Sequence, residues 1–128
     1  MPTFPVVTGD VITSTIFNGL PAFAVQTAKT ADYTAASGDE YQQLIPMNKA
    51  TAIAFKIPTD ATYNFPVGTV VTVLNIGAGT CTISAVTSGT TTVLSAGATA
   101  AQPTLAQYKT AAIIKTAANT WYVVGAIA

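Results

Sequence analysis

From residue 36 to the end of the chain, short β-branched and aromatic runs are cut at close intervals by Gly, Pro and Asn. This punctuation most limits the fold. The runs fall at 41–45, 51–57, 69–76, 81–86, 91–95, 108–115 and 120–124. Side chains of a strand alternate between two faces, and the stretch around Cys81, Ile83 and Ala85 does so cleanly against Thr80, Thr82 and Ser84. Residues 70–76 are almost continuously apolar, which predicts a central strand covered on both sides. Nothing reads as a helix of three turns. The expectation is a mainly β chain, an antiparallel β-sandwich or barrel-like domain over 36–128. Residues 96–101, Ala-Gly-Ala-Thr-Ala-Ala, read as a loop, with a short helix as the alternative.

Residues 1–35 differ in character. Pro2, Pro5 and Pro21 interrupt short apolar pieces that cannot bury a core of their own. Residues 13–20 allow one helical turn ended by Asn18-Gly19. The segment is expected to be an extended N-terminal arm reaching up to about 115 Å. The alternative is that it lies on its own domain as an edge strand. Its apolar residues Phe4, Val6, Ile12, Ile16, Phe17, Leu20 and Phe23, with Tyr122 from the last run, are the expected interface residues.

Charge is scarce. Asp10, Asp32, Asp39, Glu40 and Asp60 balance Lys29, Lys49, Lys56, Lys109 and Lys115, with no Arg or His, and charged residues make up 8% of the chain. A typical soluble domain carries about 25%. Low charge and zero net charge suit a chain whose surface is covered by partners. No basic stripe exists for nucleic acid. Without His or a second Cys, zinc sets and nucleophilic triads lack members, and five scattered acids do not assemble a calcium cage.

Asp39 and Glu40 are adjacent in an expected solvated turn, pointing apart rather than flanking a sugar. Asp32 and Asp60 fit turn-capping roles. Residues 77–80, Gly-Ala-Gly-Thr, lack the Gly-Lys-Ser/Thr ending of a phosphate loop and read as a tight hairpin-type connection. Cys81 reads as a buried, inert strand residue. No catalytic, cofactor or metal site is expected, and the chain reads as a non-enzyme. Trp121 and Tyr122 must face opposite sides of their strand, while the other tyrosines are dispersed, which favours packing over a carbohydrate surface. Residues 1–20 show no secretory pattern, and no run approaches the roughly 20 apolar residues of a membrane helix. Synthesis in the cytoplasm without export is the expectation.

The order of motifs over about residues 33–125 resembles a module of tailed-bacteriophage virion structural proteins. It runs from Tyr41, Leu44-Ile45 and Met47-Asn48 through Ala52-Ile53-Ala54-Phe55-Lys56-Ile57-Pro58 to Phe65-Pro66-Val67-Gly68-Thr69. It continues with Val73-Leu74-Asn75-Ile76-Gly77-Ala78-Gly79-Thr80 and Gln107-Tyr108. It closes with Ala112-Ile113-Ile114-Lys115 and Asn119-Thr120-Trp121-Tyr122-Val123-Val124-Gly125. Such modules occur in tail fibres, tail spikes and small capsid-associated proteins.

The resemblance implies a virion structural protein made in the host. Small size and the arm favour a capsid decoration (cement) protein at the capsid surface, a homotrimer whose partners are itself and the major capsid protein. The alternatives are a short tail or fibre-adaptor protein and a carbohydrate-binding adsorption module.

Overall fold

The apolar runs become strands, and the corners between them decide how the strands meet. The structure, a computed structural model, describes residues 24–41, 43–96 and 100–128. The described residues form ten strands and no helix. In chain order these are β1 (Ala24–Val25), β2 (Tyr33–Thr34), β3 (Gln43–Met47), β4 (Ile53–Ile57) and β5 (Val70–Asn75). β6 (Cys81–Ala85), β7 (Thr92–Ser95), β8 (Thr104–Leu105), β9 (Thr110–Ala117) and β10 (Thr120–Gly125) follow.

The strands build two sheets, a six-stranded one in the order β1-β3-β5-β9-β10-β7 and a four-stranded one in the order β2-β4-β6-β8. Up to β6 the chain alternates between them, odd strands in the first sheet and even strands in the second. Each return adds a parallel neighbour: β1–β3, β3–β5, β2–β4 and β4–β6 are all parallel. The connectivity is that of a short coil. Its last part closes differently, with β8 antiparallel to β6, β9 antiparallel to β5, and β10 between β9 and β7. The mainly β expectation holds. The antiparallel pairing expected throughout is corrected to a mixed pattern, because successive strands cross between sheets instead of folding back on themselves.

The corner after β5 shows why. Residues 77–79 read as a hairpin connection, yet β5 and β6 lie in different sheets, so this stretch is a corner between sheets. Leu44 pairs with Thr72 and Ile53 with Cys81, in each case 28 residues on, so the corners of successive turns of the coil stack in register. Gly77 N and Ile76 N donate to Met47 O, and Gly79 N donates to Lys49 O at 2.9 Å. A Cβ on Gly77 would overlap the backbone of Lys49, and one on Gly79 the backbone of Thr51. Buried Asn75 ties the corner from inside. Its Nδ2 donates to Gly79 O and Leu105 O, each at 2.8 Å, and its Oδ1 accepts from Gly77 N.

Inward positions of both sheets form one hydrophobic cluster. Ile45, Val71, Val73, Ile113 and Val123 come from the larger sheet, and Ile53, Phe55, Ile57, Cys81 and Ile83 from the smaller. Cys81 is buried as expected, and desolvation pushes its thiol up to about 11. Trp121 fills one end at 1% exposure, edge-on to Phe65 with ring centroids 5.6 Å apart. Among the described residues its Nε1–H has no hydrogen-bond partner, so its ring is held by packing, with Lys115 Nζ 6.0 Å from the ring centroid. Before β5, Thr69 N donates to Pro66 O and Gly68 has φ of 95°, a type II turn in which glycine takes the left-handed position.

Residues 24–35, the last part of the expected arm, contribute β1 and β2 to the sheets and bury Ala35 in the core. Residues 1–23 lie outside the described residues.

Two stability measurements check this account. Gly79→Ala is expected to cost about 1–3 kcal/mol in chemical denaturation through corner overlap, whereas Ala78→Ser at the exposed position between the glycines stays within about 0.5 kcal/mol. Trp121→Ala is expected to cost about 3–5 kcal/mol. Trp121→Phe costs clearly less, because it keeps most of the packing and removes an unpaired buried donor.

Candidate interaction surface

Charged and polar clusters are the first place to look for chemistry, and here they are taken up by internal bonds. Lys115 is inward on β9 and 1% exposed. Its three N–H donors go to Asp60 Oδ1 at 2.8 Å, Asn64 Oδ1 at 2.8 Å and Phe65 O at 2.7 Å. Asp60 also accepts from Asn119 N through Oδ2, and its own amide donates to Asn119 Oδ1. The cluster fastens the long connection between β4 and β5 to the β9–β10 hairpin. Partial desolvation works to raise the Asp60 pKa. The bonds from Lys115 and the Asn119 amide, with the ammonium's charge, outweigh it and hold the carboxyl below its ordinary value.

Asp39 corrects the expectation of a solvated carboxylate. The turn is present, but Asp39 is buried and accepts from Gln26 Nε2 at 2.6 Å, Tyr33 OH at 2.7 Å and Ala36 N at 2.8 Å. Burial, then the bond to Asp39 and its negative charge, push the Tyr33 phenol upward. Glu40 accepts from Tyr63 OH and Gly38 N. Asp32 takes the Ala54 amide, and Lys29 Nζ sits 4.4 Å over the Tyr33 ring. Among the described residues no three His, Cys, Asp or Glu side chains gather as a metal site. No helix among them is long and apolar enough to cross a membrane.

The outer faces of the two sheets carry the informative contrast. On the four-stranded sheet the outward positions run Thr34–Lys56–Ser84 in one cross-strand row and Ala54–Thr82–Thr104 in the next. On the six-stranded sheet one row reads Val70–Ile114–Tyr122–Leu94. The neighbouring row reads Val25–Leu44–Thr72–Ala112–Val124. No outward position in these two rows is charged. Val70 and Tyr122 are each 43% exposed, Leu94 37% and Val124 49%.

Comparison with family models, with curated proteins and with solved structures finds no match.

Tyr122, expected at an interface, lies on the apolar face between Ile114 and Leu94, opposite buried Trp121 as strand geometry requires. The other expected interface residues, Phe4, Val6, Ile12, Ile16, Phe17, Leu20 and Phe23, lie outside the described residues. Val70, Ile114, Leu94, Val124 and Leu44 join the surface without having been singled out. For Val70, Ile114 and Val124, with Leu44 on β3 and Leu94 on β7 brought in by pairing, the signal was the run of apolar residues on both parities of β5, β9 and β10. It became a surface only when the strand order set those three strands side by side.

The Lys115–Asp60 pair predicts acid sensitivity. A carboxylate whose folded pKa is depressed stabilises the fold above its unfolded value, here 3.8, and that contribution is lost as pH falls through the lower folded value. Asp60→Ala at neutral pH is expected to cost about 3 kcal/mol, since it strips the buried lysine of its counter-charge. Denaturation midpoints measured against pH check both, with the acid slope shallower in Asp60→Asn.

Proposed function

We propose that this chain is a structural virion protein of a tailed phage that works by packing rather than by catalysis. The specific form we favour is a capsid decoration protein that binds the head exterior as a homo-oligomer and stabilises it. The observation that carries the reading is the contrast between the two outer faces. One carries mostly Thr, Ser and Lys, as a solvent face does, and the other mostly Val, Ile, Leu and Tyr, with Ala112 and Thr72 among them and no charge in its two rows. Exposed apolar faces rimmed by polar residues mark association sites, and interface cores are depleted in charge. The engagement of Asp39, Glu40, Asp60 and Lys115 in internal bonds further supports a scaffold, because these side chains hold loops to the sheets. The virion assignment rests on the motif resemblance between residues 33 and 125.

With so little charge in the contact, attachment is expected to be weakly dependent on salt, since screening acts only on charges. The copy number per virion, read by quantitative mass spectrometry, tests the reading. Copies on the scale of the major shell protein, retained through a high-salt wash, are the expected result. A handful of copies per particle points to a tail adaptor instead, and absence from purified virions contradicts the reading altogether.

A further inference from the structure

We propose that the apolar outer face of the six-stranded sheet packs against the same face of a second copy of this chain. The inference deepens the assembly reading above and rests on it.

The first support lies in strand composition. A sheet covered on one side only alternates apolar with polar, whereas strands covered on both sides read as continuous apolar runs. The smaller sheet supplies the internal comparison: β4 and β6 place Lys56, Thr82 and Ser84 on their outer side. β5 and β10 instead read Val-Val-Thr-Val-Leu and Trp-Tyr-Val-Val, sequences suited to two covering layers. The chain's own core supplies one layer. On the other side Val70, Leu94, Tyr122 and Val124 stay open to solvent.

The chemistry of the face selects its occupant. It is neutral at every outward position of its two central rows, so a charged partner surface would lose solvation there without gaining a counter-charge. It is also a sheet, and two sheets stack about 10 Å apart by interdigitating alternate side chains. A second copy offers a surface of matching shape, polarity and net charge. A two-fold pairing makes every residue of the face serve twice.

Size sets the strength of the contact. The two rows, about 7 Å apart along the strands and crossing four and five strands about 4.8 Å apart, give roughly 300 Å² per copy. A stable standard interface takes about 800 Å² per partner. The contact is therefore concentration-dependent and is reinforced where copies are held close together.

Sedimentation velocity of the full chain over a wide concentration range tests this, with Tyr122→Lys/Leu94→Lys set against Thr82→Lys on the other outer face. The expected result is self-association of the wild type, weakened at least about tenfold in the double variant and unchanged in Thr82→Lys. Thermal melting confirms that the variants are folded. If the double variant melts early, Val124→Lys at its half-exposed position repeats the test.

Equal self-association of both variants overturns this contact while leaving the assembly reading intact. A wild type that stays monomeric at every concentration yet decorates heads assigns the face to another protein and sinks the proposal. Hydroxyl-radical footprinting of the dilute chain closes the remaining route. Tyr122 is expected to be reactive when dilute and protected when concentrated; protection already in the monomer would mean the chain covers its own face, contrary to the proposal.

Discussion

The stacked corners are the constraint on which the rest of this structure depends. Parallel strands in two sheets require the chain to turn at the same place in successive turns of the coil, and the backbones there come very close. Gly77 and Gly79 meet that demand because a side chain at either would overlap the backbone of Lys49 or Thr51. Asn75 then satisfies the corner's polar groups from within. With the corner set, the pairing of β3 with β5 and of β4 with β6 shares a single offset of 28 residues. Both sheets therefore grow in step.

The antiparallel closing strands turn that coil into a two-faced object. Placing β9 beside β5 and β10 beside β9 brings three strands with apolar residues on both parities next to one another. Their inner residues complete the core with Trp121. Among the described residues no layer covers their outer side, where Val70, Leu94, Tyr122 and Val124 are exposed. Lys115, inward among them, is reconciled with burial by Asp60, Asn64 and the Phe65 carbonyl, and the same bonds draw the long connection after β4 against the hairpin. Loop order and sheet order are thus coupled through one buried cation. Stability and surface both follow from where β9 and β10 insert.

Much of this was legible in the residues, and the parts that were not have physical reasons. Strand positions followed from β-branched runs and their punctuation, so β3 to β7, β9 and β10 fall within a few residues of expectation. The burial of Cys81 and the opposed faces of Trp121 and Tyr122 follow from period-two geometry alone. Pairing direction was not legible, because alternation looks the same in parallel and antiparallel strands, and Gly-Ala-Gly serves a corner as well as a hairpin. The burial of Asp39 is not legible because its partners, Gln26 and Tyr33, lie on residues whose prolines and short apolar pieces predict an arm. The apolar face was half visible: residues 70–76 read as covered on both sides, and the described residues supply one cover.

The claim that this open face is met by another copy is tested most directly by placing a photo-reactive benzoylphenylalanine at Tyr122 in the full chain. Irradiation at associating concentration is expected to join two chains, with the linkage mapping to the face that holds Ile114, Leu94 and Val124 in the second copy. Linkage confined to the chain's own residues, or none between chains at any concentration, would contradict the account.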